Sequence, residues 1–286
     1  MNEATKKKRK KNEVWRRLKK NKVAVVSLFV LIAIFLIAIF ASFLSPYPFD
    51  ETHTKHSLEG SSSEFLLGTD RLGRDVLSRL LYGSQQSLQM GIFAVSGAVI
   101  LGVIIGAVSG FYGGFTDNLI MRLLDIFQGI PMFLLTVTLA AVLGPSLRNA
   151  IIAIGIAMVP GFARLMRASL LTVREMEYIE AAKSINATNR RIIIRHIIPN
   201  AIAPVMVSYT MNMGMAVLSG SALSFIGLGV QAPIPEWGAM ISDARAFMRA
   251  QPQLALYPGI CVIITVLAFN MLGDGLRDAL DPRLKN

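Results

Sequence analysis

The chain has 286 residues, 53% of them hydrophobic and only 16% charged, with a mean hydropathy of +0.53 and a formal net charge of +11. A soluble domain carries about 25% charged residues, so the composition excludes an ordinary soluble enzyme or binding module. The apolar residues are also blocked. Residues 23–49, 80–116, 126–147, 201–235 and 250–273 hold no charged side chain, and each run can contain a spanning helix of about 20 residues. Residues 149–163 are a shorter sixth candidate, with Arg164 and Arg167 snorkelling from its end. The expectation is an all-α membrane protein with six transmembrane helices. It divides into a basic tail (1–22), a first anchor helix (23–45), an external loop with an amphipathic helix (46–87) and a five-helix core (88–286) that includes a polar segment at 171–200.

Residues 1–22 hold eleven Lys or Arg, with Lys6 to Lys11 unbroken. A nucleic-acid-binding tail has that composition, but this one directly precedes an apolar run. The positive-inside rule therefore makes it a cytoplasmic retention signal lying against anionic lipid headgroups, with no nucleic-acid partner. The following run is too long for a cleavable signal peptide. The first helix, 23–44, contains no Gly and reads as a peripheral anchor; Ser45-Pro46-Tyr47-Pro48 ends it. His53 and His56 lie in a polar loop without a Cys or further His nearby, so no metal site is expected.

Residues 66–88 place Leu72, Val76, Leu77, Leu80 and Leu81 at helical spacing among Arg71, Arg74, Asp75 and Arg79. This predicts an amphipathic helix at the membrane surface with Asp70 as its N-cap, in a structural role. The second span carries Gly102, Gly106 and Gly110, with Gly114 next at the same spacing, a ladder that lets a neighbouring backbone approach. Arg122 and Asp125 open the third span and are expected to pair at its helix end. Gly129-Ile130-Pro131 should kink it.

Residues 176–185 read as a short helix with Ile179 and Ala182 on one face and Lys183 at its border. Asn186-Ala187-Thr188 reads as a turn. Residues 189–198 read as a second helix with Arg190, Arg191 and Arg195 in water or headgroups, ended by Pro199. A charged helical hairpin between apolar spans is a docking element for a soluble partner. Further on, Gly227, Gly229 and Ala232 imitate a dinucleotide fingerprint without the βαβ unit it needs. Pro233, Pro235 and Trp237 instead mark an interfacial external loop. Cys261 is alone in the last apolar run and has no disulfide partner within the chain.

With six spans and the N-terminus inside, 22 of the 29 Lys and Arg residues fall on the cytoplasmic side, as the positive-inside rule requires. There is no Walker A sequence, HExxH, GxSxG or intramembrane carboxylate pair, so the chain is not expected to be an enzyme. A stand-alone secondary transporter or channel is the rival class. It would show inverted repeats or matching broken helices, which are not evident here.

Four segments resemble one family. Residues 177–204 resemble the cytoplasmic coupling loop of permease subunits of ATP-binding cassette importers. Glu180, Ala181 and Ala182 open it, Asn186 stands where that family has Gly, His196 replaces an isoleucine, and Ile198-Pro199 replaces Leu-Pro. The run His196 to Asn200 is similar to the ending of the peptide-transport branch. Gly68, Thr69, Asp70, Gly73, Arg74, Asp75, Ser78 and Arg79 match a segment of the dipeptide/oligopeptide/nickel branch, and residues 219–238 and 270–284 resemble it as well.

The resemblance implies a type I importer permease bundle in a bacterial plasma membrane, with both termini cytoplasmic. It implies the second permease of a peptide importer, with nickel or a nickel chelate as the alternative cargo. The implied partners are a second homologous permease, two ATP-binding subunits that hold ATP and Mg, and an extracytoplasmic solute-binding protein. This chain itself would hold no cofactor. Glu180, Ala181, Ala182 and Asn186 would form the contact core with an ATPase, Glu180 facing the partner, in an element that also carries Arg190, Arg191 and Pro199. Transport would run by alternating access, driven by the partner's ATP hydrolysis.

Overall fold

The computed structural model describes residues 15–280, apart from the side chain of Lys183. The basic run Lys6 to Lys11 and the last six residues lie outside the described residues, and so does the placing of Lys183 at a helix border. The described chain is helical, without a strand beyond one isolated bridge between Thr69 and Asp75.

Helix α1 (Lys22–Ile39) is capped by Asn21, whose side chain accepts the Ala24 N–H at 3.1 Å. It buries only the narrow seam Ala24, Ser27, Leu31 and Ala38 and turns Val23, Val26, Phe29 and Ile39 outward. A short turn, α2 (Ala41–Leu44), carries the chain to Ser45.

The next long helix, α3 (Val76–Tyr112), is unbroken for 37 residues. The separate surface helix expected over 66–88 does not exist. Residues 66–75 fold as a compact loop, and the helix that follows is the start of the second span. Asp75, not Asp70, is the N-cap: it accepts the Ser78 N–H at 2.7 Å. The Asp70 carboxylate instead closes the loop, accepting the N–H groups of Leu72 (2.8 Å) and Arg74 (3.0 Å) ahead of the helix.

The third span is two helices, α4 (Gly114–Gln128) and α5 (Met132–Leu143), meeting at 85°. Gly129-Ile130-Pro131 thus breaks the helix instead of kinking it. α6 (Leu147–Arg174) extends well beyond the short run 149–163, and Arg164, Arg167 and Arg174 in the extension each find a partner. A helical pair, α7 (Glu177–Ser184) and α8 (Asn189–Ala201), leads at a 59° bend into α9 (Ala203–Phe225). α10 (Trp237–Ala244) and α11 (Gln253–Leu280) complete the chain. Among the described residues, helices α1, α3, α6 and α11 are long and apolar enough to cross a membrane, and the count is six when the bent pairs α4–α5 and α8–α9 are each one span.

The core is built on α3 against α6. A Cβ on Gly102 would lie 2.5 Å from Phe162 Cβ, and one on Gly106 would lie 2.2 Å from the Ala163 carbonyl oxygen. The glycines therefore let two backbones touch. Gly114 is not a rung of this ladder: it follows the helix break and has open space around it. Gly97, on the same helix, also faces open space. Gly106→Ala is expected to lower stability by about 1–3 kcal/mol through overpacking, whereas Gly97→Ala should be neutral or stabilising by up to about 1 kcal/mol through helix propensity. Melting temperatures of the two purified variants compare them, and equal values would contradict the packing.

Candidate functional site

The polar hairpin is held to the bundle by its apolar underside. Only Glu175 and Met176 separate α6 from α7, and the Met176 N–H reaches back to the Val173 carbonyl at 3.2 Å. Along α7 the spacing of three puts Ile179 and Ala182 on the inner face, where both are buried; Ile192 and Ile197 of α8 join them in the main core. Glu180 and Ala181 point outward and are exposed. Asn186, Arg190, Arg191, Arg195 and Pro199 are exposed as well. The structure therefore separates the expected contact core. Glu180, Ala181 and Asn186 are on the surface, while Ala182 lies underneath and supports them.

Asn186 adopts φ +57°, a left-handed conformation. The Ala187 N–H bonds the Ala182 carbonyl at 3.2 Å, the six-to-one bond of a Schellman ending. Asn is among the few residues other than Gly that take this backbone readily, which is how it stands in the family's Gly position. Pro199 does not end α8. Residues Ile192–Ile197 form a π-helical stretch, the Ile198 N–H bonds Ile193 five residues back, and the helix passes through Pro199 to Ala201. The wider turn makes room for a proline ring that an α-helix interior would reject. The break comes at Ile202, just ahead of Pro204.

The outer surface also presents Met176, Tyr178, Ile185 and Ile194. Ile185 is 80% exposed. Large apolar side chains rimmed by charge mark a protein-binding face. The motif reading passed over these four. Spacing alone would have put Ile185 on the stripe of Ile179 and Ala182, three residues further on; it is exposed because the helix ends at Ser184.

Above the hairpin, polar bonds tie α6 to its neighbours. Arg167 donates to the Asp117 carboxylate of α4 through Nε at 2.5 Å and through Nη2, and the Ser109 hydroxyl donates to the same carboxylate. Arg164 donates to Asp125. Asp125 thus pairs with α6 and not with Arg122, which is exposed. The Arg174 guanidinium donates to the carbonyls of Gly110 (3.0 Å) and Phe111 (3.4 Å). It caps the negative end of α3.

At the other end of α3, the motif Gly68 to Arg79 is folded inward. Thr69, Arg74, Asp75, Ser78 and Arg79 are buried. Asp70 accepts the Arg74 Nε at 2.7 Å, and Arg79 donates to the carbonyls of Phe49 (3.0 Å) and Pro233 (3.2 Å). Gly73 has φ +75° and sits against the His53 carbonyl, where a Cβ would lie 2.0 Å from the oxygen. His53 and His56 pack against Phe65 with their rings tilted and centroids 5.3 and 5.5 Å away. These residues build the loop.

Glu236 lies beside this loop, fully buried. Its carboxyl group accepts the hydroxyls of Ser87 (2.8 Å, from α3) and Ser221 (3.0 Å, from α9) and the Ala239 N–H (3.0 Å) at the start of α10.

Residues 98–286 match the family described as binding-protein-dependent transport system inner membrane components, and residues 12–60 match the N-terminal transmembrane domain of oligopeptide transport permease C. The chain is 48% identical over 274 residues to a dipeptide transport system permease protein of Alkalihalophilus pseudofirmus, covering 96% of this chain and 90% of that one. It is 43% identical to a glutathione transport system permease protein of Pectobacterium atrosepticum, covering 96% and 91%. Its fold is similar to a chain in an inward-facing structure of the MetNI methionine ABC transporter, with a TM-score of 0.58 and 18% identity over 71% of this chain and 97% of that one. A chain in the structure of an amino acid ABC transporter aligns with a TM-score of 0.53 at 16% identity, over 68% of this chain and 91% of that one. A helical bundle with four to six candidate spans and a polar helical hairpin, matched by this family over most of its length, is a binding-protein-dependent transport system inner membrane component, the permease subunit of an ATP-binding cassette importer.

Proposed function

We propose that the chain is the second permease of an ATP-driven peptide importer and shares its translocation path with a homologous permease. The observation that carries the reading is the hairpin's division of labour. Ile179, Ala182, Ile192 and Ile197 are locked in the bundle, while Glu180, Ala181 and Asn186 face outward beside Tyr178 and Ile185. A surface presented on such a rigid base can convert a partner's movement into helix movement. An ATP-binding subunit docks there and supplies both ATP and Mg. Glu180 meets a cationic or hydrogen-bond-donating group on it, and Arg190 and Arg191 border the contact.

Hydrolysis biases the bundle between outward-open and inward-open states, which requires only that the partner bind the two states with different free energies. The hairpin and both termini then lie on the cytoplasmic side, and the Gly68–Arg79 loop with α10 faces the solute-binding protein. The names of the 48% and 43% identical relatives support peptides, glutathione included, as the cargo class.

The test is uptake by proteoliposomes holding the chain with its co-purified partners and the binding protein, offered a labelled peptide mixture and labelled nickel in parallel. ATP-dependent peptide uptake is expected. Uptake of nickel alone would move the substrate class, and uptake driven by an ion gradient without an ATPase would overturn the reading.

A further inference from the structure

Helix α4 is unusual in this bundle because its apolar hold on the chain is slight: of its fifteen residues only Leu124 is buried. Its attachment to α6 is ionic. The sheltered contact is Asp117–Arg167, with side chains 14% and 31% exposed, where two guanidinium N–H groups and the Ser109 hydroxyl converge on one carboxylate. The second, Asp125–Arg164, is far more open, with side chains 51% and 40% exposed. Exposed ion pairs contribute little, and multiply hydrogen-bonded sheltered ones contribute more. Asp117 is therefore the fixed point between α4 and α6.

That point lies on a continuous mechanical route. α7 is joined to α6 by two residues, so α7 cannot shift without α6. α6 holds α4 through Arg167. α4 turns by 85° into α5 at Gly129-Ile130-Pro131, a bend that separates two rigid rods. We propose that Asp117 and Arg167 are positioning residues that pass movement of the docking hairpin to the bent α4–α5 element. Neither touches the ATPase or the cargo in this role. The proposal rests on the importer reading above and deepens it, assigning the link between the hairpin and the helices that move.

The test uses the complete importer with its binding protein, reconstituted with wild-type chain, D117N, R167Q and the double variant. Uptake and ATP hydrolysis are measured on the same vesicles, each normalised to assembled complex. Uptake per ATP hydrolysed is expected to fall about tenfold in each single variant, within the range of a coupling free energy between two sites. It should fall no further in the double variant, because the same interaction is removed once. D117E, which keeps the charge, should retain most of the wild-type ratio. A purely structural pair would reduce the yield of complex and leave the ratio unchanged; that result, or losses that multiply in the double variant, overturns the proposal. If one variant does not assemble, the other single variant gives the same reading. A wild-type complex that transports without hydrolysing ATP overturns the importer reading together with this one.

Discussion

Glu180→Lys is expected to stop ATP-driven uptake in a chain that still folds. The side chain is exposed on α7, and its backbone carbonyl accepts the Ser184 hydroxyl at 3.0 Å, a bond that any residue at this position can keep. Stability should therefore move by no more than about 0.5 kcal/mol, as for other surface changes. At a docking face the effect differs. The substitution removes an acceptor and places a like charge against whatever group Glu180 meets, and losses of about 2–5 kcal/mol follow when one member of a paired interfacial charge is lost. The uptake rate should fall at least about tenfold, with the ATPase either lost from the purified complex or hydrolysing ATP without transport. Uptake, co-purification and melting temperature together check this. Wild-type uptake by E180K would remove Glu180 from the contact.

Glu236→Ala is expected to be the most damaging single truncation at the other end of α3. The carboxyl group is fully buried and satisfies donors on three elements: Ser87 of α3, Ser221 of α9 and the first turn of α10. Removing it leaves two hydroxyls and the Ala239 N–H without an acceptor and opens a cavity. Each unsatisfied buried group costs about 1–3 kcal/mol, so a loss of about 4 kcal/mol or more is expected. Glu236→Gln should cost far less, about 1 kcal/mol. Its carbonyl can take the Ala239 N–H, and the serine hydroxyls can rotate to accept from its amide. Thermal unfolding of the purified complex ranks the variants, and Glu236→Ala with wild-type stability would show that the three hydrogen bonds contribute nothing.

The spans and the hairpin were legible because both are written locally. Charge-free runs mark the spans, and Asn186 between two helical stripes marks the turn that the structure closes at φ +57°. The inward position of Ala182 was legible too, from its spacing to Ile179, although the family motif alone groups it with its exposed neighbours. What was not legible depends on residues far apart in the chain. Nothing local pairs Asp117 with Arg167 or Glu236 with Ser87, so the reach of α6 and the burial of an acidic residue just ahead of α10 could not be read. The cap is a different case, because its contacts are local: the apolar stripe suggests a helix from Asp70, but residues 70–74 turn back on the Asp70 carboxylate and the helix starts only at Val76, behind Asp75. Pro199 was misread because a proline rule assumes an α-helical frame, and the residues before it adopt a wider one.

The length of α3 has a mechanical consequence. Thirty-seven residues at about 1.5 Å each make a rod of about 56 Å, against a hydrocarbon layer of about 30 Å. Its first turns carry Arg79 and Ser87, locked into the loop beside Glu236, and its last turn carries the carbonyls gripped by Arg174. The loop beside Glu236 and the contact with Arg174 are thus joined by one stiff spar, so a displacement at either end is carried to the other as a tilt of the whole rod.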